Sequence, residues 1–252
     1  MRNIALTVAY DGTRYYGWQK THDGPSIEQE LENALTPIIG HTPLLQAASR
    51  TDRGVHADGQ IVTFMTKKKS SCAQFQHSLN ALLPEDIRVM NIEEKELSFH
   101  PTLEALSKTY HYKIALGKTI HPTMRLYCWH YPFDLNISLM QEAASYLIGT
   151  HNFAAFRNQR KDLIPEDTVR HIINISIDLE PTHTDLKILH IKITGDKFLY
   201  KMARNLVGTL VYVGSGKLSL QEVRALFLHP DRTKAGITAP AHGLFLYAVY
   251  YI

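Results

Sequence analysis

The sequence predicts an α+β protein built around a largely antiparallel sheet. Strand-like alternation of apolar residues begins near the N-terminus and recurs along the chain, with short helical patterns between the strands. Strict strand–helix alternation, which would indicate a doubly wound parallel sheet, is missing. The 252 residues, 44% of them hydrophobic and 20% charged, are enough to form a sizeable core.

The first half is predicted to hold four strands and two helices. The strands are expected at residues 3–10, 42–48, 59–66 and 87–92. Ser26 and Gln29 resemble a capping box that opens a helix, and Gly40 is its stop signal. The second helix is expected over residues 73–82, before Pro84.

The second half repeats this mixture after a polar boundary. Strands are expected at residues 109–116, 169–179, 187–194 and 244–251, and helices at 138–148, 198–213 and 219–228. The polar stretch Glu94–Leu106 is the weakest point of the pattern. It divides the chain into a predicted N-terminal lobe, 1–105, and a C-terminal lobe, 106–252.

The composition narrows the class of protein without identifying it. A net charge of +3 and a pI near 8.7 are compatible with nucleic-acid binding. Cys72 and Cys128 lie far apart, which argues against a disulfide framework and a cysteine-ligated zinc site. We find no leader peptide and no membrane-length apolar stretch, so a cytoplasmic protein is expected.

The polar loop at residues 49–58 is the most informative segment. Asp52 lies between Arg50 and Arg53, and Gly54 follows. Neighbouring cations favour the ionised carboxylate that a nucleophile needs. An ordinary Asx-type turn with solvated arginines would use the same residues, so both interpretations stay open here.

Three other segments carry residues suited to RNA. Residues 10–19 mix four aromatic side chains with Arg14, a combination that suits base stacking as well as rim packing. Tyr110 and Tyr112 share one face of a predicted strand. In the predicted helix 198–213, basic residues at i, i+4 and i+7 spacing form a stripe, although such a stripe is often only a solvated face. Its members are Lys197, Lys201 and Arg204.

Taken in order, these motifs closely resemble the tRNA pseudouridine synthase A family. The matching segments are Tyr10-Asp11-Gly12 through Gly17-Trp18-Gln19, Arg50-Thr51-Asp52 with Gly54-Val55-His56, Lys108-x-Tyr110-x-Tyr112, Gly149-x-His151-x-Phe153 with Phe156-Arg157, Met202-x-Arg204-Asn205-x-x-Gly208, and Ala239-x-x-x-Gly243-Leu244. They cover nearly the whole chain.

The resemblance implies both a fold and a reaction. The fold is two-lobed, with a central antiparallel sheet flanked by helices and the active-site cleft between the lobes. The reaction converts uridine to pseudouridine at positions 38, 39 and 40 of the tRNA anticodon arm. The family acts as a homodimer, flips the target base and uses no cofactor and no metal.

The resemblance also implies the catalytic roles. Asp52 is the expected nucleophile, and Arg50 is expected to help take the uridine out of the base stack. Tyr110 should pack on the flipped base and assist proton removal from C5, while Arg204 pairs with the catalytic carboxylate. The residues expected to bind RNA are Tyr110, Arg50, Arg53, Arg14, Phe99, Arg157, Arg160, Lys161 and Lys201.

The chain departs from the family pattern at two places. Arg53 stands where the family usually has a small residue such as alanine. After Phe99, the family often has an arginine that contacts tRNA, but this chain has Pro101 and Thr102. One RNA contact is therefore in doubt.

Three rival hypotheses remain open from the sequence. A non-catalytic RNA-binding protein would keep the basic and aromatic residues without needing Asp52. A hydrolase would pair Asp52 with Asp58 or Glu28, as glycosidases pair carboxylates. The 14 histidines raise the possibility of a metal site, but they are scattered without ligand-like clustering.

Overall fold

The computed structural model describes residues 1–159, 167–182 and 186–252. In these ranges the strands are β1 (Arg2–Tyr10), β2 (Gln46–Ala47), β3 (His56–Thr66), β4 (Ile87–Lys95), β5 (Ser107–Leu116), β6 (Trp129–Tyr131), β7 (Gly149–Asn152), β8 (Val169–Pro181), β9 (Lys187–Gly195) and β10 (Leu244–Tyr250). The α-helices there are α1 (Ile27–Ile39), α2 (Cys72–Leu82), α3 (Ile137–Leu147), α4 (Met202–Gly214) and α5 (Leu220–Leu228). No helix in the described ranges is long and apolar enough to cross a membrane.

The chain divides into two compact units. The first combines Met1–Leu106 with Phe245–Ile252, and the second is Ser107–Leu244. The lobes predicted from the sequence were continuous, so they differ from these units in the last strand. The reason is long-range pairing: Phe245 of β10 pairs in parallel with His56 of β3.

In the first unit, the strands are ordered β4-β1-β3-β10, and β2 pairs with β3. All these pairings are antiparallel except that of β3 with β10. The apolar side chains of β1, Ile4, Leu6 and Val8, are fully buried. Phe64 of β3 and Phe75 of α2 meet edge to face at 6.1 Å, which places a helix on the sheet.

Helix α1 follows its sequence signals. Ser26 accepts a hydrogen bond from the Gln29 backbone N–H, and Gly40 ends the helix in the left-handed conformation. The Gln29 side chain is turned along the helix, where its amide donates to Glu32 and Asn33. Reciprocal capping boxes instead open α2 and α5.

The second unit has strand order β5-β9-β8-β7, all antiparallel, with β6 parallel to β5. Helices α3, α4 and α5 contact one another or β8. Leu147, Leu206 and Leu210 are fully buried among these helices. Both units therefore confirm the predicted α+β class and the largely antiparallel pairing.

Several predicted boundaries were wrong. The strand expected at 42–48 is reduced to β2, because Pro43 has no backbone N–H for a ladder. Strand β3 begins at His56, so the polar loop ends at residue 55 instead of 58. Two short strands, β6 and β7, were not predicted because three or four residues carry too little periodicity.

Candidate active site

Asp52 lies in a short loop, residues 48–55, which we call the Asp52 loop. Its preceding residue, Thr51, is buried and shares a 2.7 Å hydrogen bond with the Tyr10 hydroxyl. The Thr51 carbonyl accepts the Trp18 N–H at 3.0 Å. Asp52 itself is half-buried, and its carbonyl accepts the Val55 N–H at 3.1 Å. The loop is therefore fixed through its own backbone.

The segment of residues 15–18 holds the other side of the Asp52 loop. The Gly54 N–H donates to the Tyr15 carbonyl at 3.3 Å. Gly17 has φ +101°, and a Cβ there would lie 2.7 Å from the Thr51 carbonyl oxygen and 3.1 Å from the Asp52 carbonyl carbon. Only a glycine allows this backbone conformation and this close approach together.

His56 of the same motif is a structural residue. Its ring is 1% exposed and stacks on Phe245 at a centroid distance of 4.6 Å. The Gly12 N–H points at its Nδ1 at 3.0 Å. Asp11, which lies 3.1 Å from the same nitrogen, caps the turn by accepting from Thr13. These contacts tie the start of β3 to the turn after β1.

The three arginines of this unit that were predicted to bind RNA have different surroundings. Arg50 and Arg53 are exposed, and the Arg53 guanidinium lies over the Tyr16 ring at 3.9 Å. Arg14 instead donates to Asp86 through Nε and Nη2, both at 2.7 Å, which raises the pKa of Arg14. Arg14 is thus already paired with a carboxylate.

Phe99 is a packing residue in this structure. Its ring is 9% exposed and meets Tyr251 edge to face at 5.1 Å. Thr102, in place of the family's arginine, donates to the Ala47 carbonyl at 2.7 Å. Both residues therefore contribute contacts within the first unit.

In the second unit, β5 carries three aligned motif side chains. Tyr110 is 7% exposed and meets Phe198 edge to face at 4.9 Å. The Tyr112 hydroxyl donates to the Pro240 carbonyl at 2.8 Å, and burial raises the pKa of Tyr112. Lys108 is also buried; desolvation, followed by the charge of Lys197, lowers the pKa of Lys108 to about 8.

Arg204 lies in the first turn of α4 and is fixed by the segment before β10. Its Nε donates to the Ala239 carbonyl at 2.7 Å, and its own carbonyl accepts the Ala239 N–H at 3.2 Å. The next residue, Asn205, is fully buried and accepts from Arg232 Nη2 at 2.8 Å and from Thr238 at 2.7 Å. Sequence reasoning missed Arg232, because 27 residues separate it from Asn205.

The predicted basic stripe is not a helix face. Helix α4 begins at Met202, not at residue 198, so Lys197 lies outside it and Lys201 is its N-cap. Lys201 has φ +60°, the one non-glycine residue with positive φ among the described residues. The i, i+4, i+7 spacing toward Arg204 therefore does not apply.

The other predicted RNA-binding residues fall in or beside an undescribed range. Arg157 is half-buried after a short turn, Ala154–Phe156. Arg160 and Lys161 lie outside the described residues.

Two rival sites can be compared with the described residues. Asp58 is exposed on β3, whereas Glu28 accepts the Lys20 backbone N–H at 3.0 Å. Within the described ranges, no group of three or more His, Cys, Asp or Glu residues is arranged to hold a metal ion. The predicted catalytic residues belong to different units: Asp52 to the first, Tyr110 and Arg204 to the second.

Comparisons with known proteins match the whole chain. A family model described as tRNA pseudouridine synthase matches residues 6–102 and 143–252. The chain is similar to tRNA pseudouridine synthase A 2 of Protochlamydia amoebophila, at 48% identity over 100% of this chain and 95% of that protein. It is also similar to tRNA pseudouridine synthase A of Thermoanaerobacter sp. (strain X514), at 42% identity over 100% of both.

Among solved structures, one match is a chain of a Cbf5-Nop10-Gar1 complex. It is 10% identical, with a TM-score of 0.33, and the match covers 83% of this chain and 54% of that one. A score this low supports no conclusion about either molecule.

Proposed function

Because the chain belongs to the tRNA pseudouridine synthase family, we propose that it modifies uridines 38, 39 and 40 of the tRNA anticodon arm with Asp52 as nucleophile. Its reaction is the family's isomerisation of uridine to pseudouridine in tRNA. The positions and the residue roles are our assignment.

The anchored Asp52 loop carries this proposal. The backbone on both sides of Asp52 is held by residues 15–18, so the carboxylate is presented from a fixed position. Catalysis by a nucleophile depends on such placement, since a misplacement of about 1 Å can reduce the rate about 100-fold. Arg50 and Arg53 add positive charge on either side of the carboxylate in sequence.

The chemistry suits a carboxylate without a redox partner. The N1–C1′ bond breaks, the uracil rotates, and a C5–C1′ bond forms while the C5 proton is lost and N1 gains a proton. Asp52 either adds to the sugar or removes a proton from it to give a glycal. Both routes begin with the same ionised side chain.

The other site residues are assigned to flip the target base and to hold it. Taking a uridine out of the stack costs a few kcal/mol, which contacts with Arg50 and Tyr110 offset. The Tyr110 ring is held edge-on by Phe198, so a base can pack on a fixed surface. Its hydroxyl is assigned to assist proton removal at C5, and Arg204 is assigned to pair with the Asp52 carboxylate.

The remaining parts of the proposal concern RNA binding and assembly. We assign phosphate contacts to cationic side chains of both units, with tRNA lying across a homodimer in the cytoplasm. The residues assigned are Arg14, Arg50, Arg53, Arg157, Arg160, Lys161 and Lys201. Because Arg14 is paired with Asp86, an RNA contact there has to compete with that carboxylate.

Asp52→Asn tests the proposal, with Asp58→Asn as the matched control. The first substitution removes a charge and almost no volume, so turnover should be lost while tRNA binding persists. Asp58 is an exposed carboxylate six residues further on, and its loss should leave turnover unchanged. Carbodiimide-dependent reverse-transcription stops on unmodified tRNA would map the product.

Two results would contradict the proposal. Turnover by the Asp52→Asn variant near that of the unaltered protein, at saturating tRNA, would show that Asp52 is not the nucleophile. Release of free uracil by the unaltered protein, abolished in Asp58→Asn, would favour the hydrolase hypothesis.

A further inference from the structure

The exposed side chain directly after Asp52 is stacked on an aromatic ring. Cζ of Arg53 lies 3.9 Å from the centroid of Tyr16, a close cation–π distance. In the part of the chain that the structure describes, Arg53 forms no ion pair. The planar guanidinium is thus held by a ring rather than by a carboxylate.

Tyr16 is itself held in place. Its backbone N–H donates to the Pro25 carbonyl at 2.8 Å. Its ring lies so close to Gly24 that a Cβ there would be 2.5 Å from Cε2. The half-buried ring is therefore a preformed surface for the guanidinium.

The stack is fixed relative to Asp52. Tyr15 and Trp18, on either side of Tyr16, make the backbone hydrogen bonds to Gly54 and Thr51, on either side of Asp52 and Arg53. The ring, the guanidinium and the carboxylate therefore belong to one braced piece of backbone.

A second stack in the chain shows the same geometry in a different electrostatic setting. Arg224 of α5 lies over Tyr146 of α3, also at 3.9 Å. The Tyr146 hydroxyl, however, donates to the Glu142 carboxylate at 2.7 Å. This stack joins α3 to α5 and includes no residue of the Asp52 loop, so it serves as a natural control.

We propose that Arg53 and Tyr16 form a stacking platform for an unpaired nucleobase next to the target uridine. Guanidinium planes and aromatic rings are the surfaces on which unstacked RNA bases pack. A flipped uridine leaves its neighbours partly unstacked, and the residue after the nucleophile is suited to receive one of them. This inference rests on the proposed function and extends it to a flanking base.

Binding measurements separate stacking from charge. Arg53→Lys keeps the charge but loses the plane, and Tyr16→Leu removes the ring. Each substitution should weaken the binding of an anticodon-arm RNA by about five-fold or more. The salt dependence of binding should not change in Arg53→Lys, because this variant keeps the positive charge. Arg224→Lys, the same change at the control stack, should bind like the unaltered protein. Normal affinity in Arg53→Lys would overturn the platform.

RNAs with an abasic site on either side of the target uridine provide the second arm. One of these two RNAs should bind the unaltered protein more weakly than the intact RNA does. Replacing Arg53 by lysine should not weaken the binding of that RNA further, because the abasic site has already removed the same contact. An equal additional loss in Arg53→Lys for both RNAs would refute the platform. Pseudouridine formation by the unaltered protein is scored separately, so failure of the reaction is distinguishable from failure of the stack.

Discussion

Replacing Gly17 by alanine tests whether the backbone of residues 15–18 positions Asp52. The added Cβ would lie 2.7 Å from the Thr51 carbonyl oxygen, so Thr51 must move by about 0.7 Å to reach an ordinary contact of 3.4 Å. Since a misplacement of about 1 Å can reduce a rate about 100-fold, we expect kcat to fall at least about tenfold.

Gly40→Ala is the matched control for this change. Gly40 also has positive φ, +82°, but nothing lies within 4 Å of an added Cβ. Both variants should lose about 1 kcal/mol of unfolding free energy through the left-handed backbone. Single-turnover pseudouridine formation and denaturant unfolding measure the two effects. If Gly17→Ala matches Gly40→Ala in rate at saturating tRNA, the contact does not position Asp52.

Three further predictions concern charge. The pKa of Lys108 is about 8 in the folded protein, below the usual 10.5, so between these pH values the unfolded chain binds the proton more strongly. The unfolding free energy of the unaltered protein should therefore rise with pH by up to about 3 kcal/mol relative to that of Lys108→Met between pH 8 and 10.5. A pH-independent difference between the two proteins in denaturant titrations would contradict this. Arg204→Leu should move the acid limb of the pH–rate profile to higher pH, because loss of a cation disfavours an ionised carboxylate, and an unchanged limb would exclude pairing with Asp52. Binding of tRNA should weaken with salt by about 0.7–0.9 log units per log unit for each phosphate contacted. A slope near zero would contradict the assigned phosphate contacts, and a monomer when tRNA is bound would contradict the dimeric arrangement.

The motif residues show how far a linear pattern reaches. The resemblance singled out Gly17 and Arg204 as motif positions, but it did not predict the contacts that they make in the structure. Gly17 is required because the Thr51 carbonyl oxygen of a second segment occupies the space that a Cβ would need. Arg204 is directed by Ala239, 35 residues away. Contacts of this kind leave no periodic signal.

The beginning of α4 shows the opposite case, in which a local pattern misled. Apolar spacing from Leu199 onward fitted a helix from residue 198, yet the helix begins at Met202 after a left-handed Lys201. Helical spacing describes which residues could share a face, but it does not reveal the left-handed backbone at Lys201 that precedes the helix.

The sequence by itself determined the longer strands, most helix limits and the family of the protein. The placement of Ile4, Leu6 and Val8 on one face of β1 and the caps Ser26 and Gly40 depend on neighbouring residues in the sequence. Only the tertiary structure decided that Lys108 is buried and that Arg53 rests on Tyr16. Burial and stacking depend on which distant segments approach a side chain, and that approach exists only once the sheet and its loops have assembled.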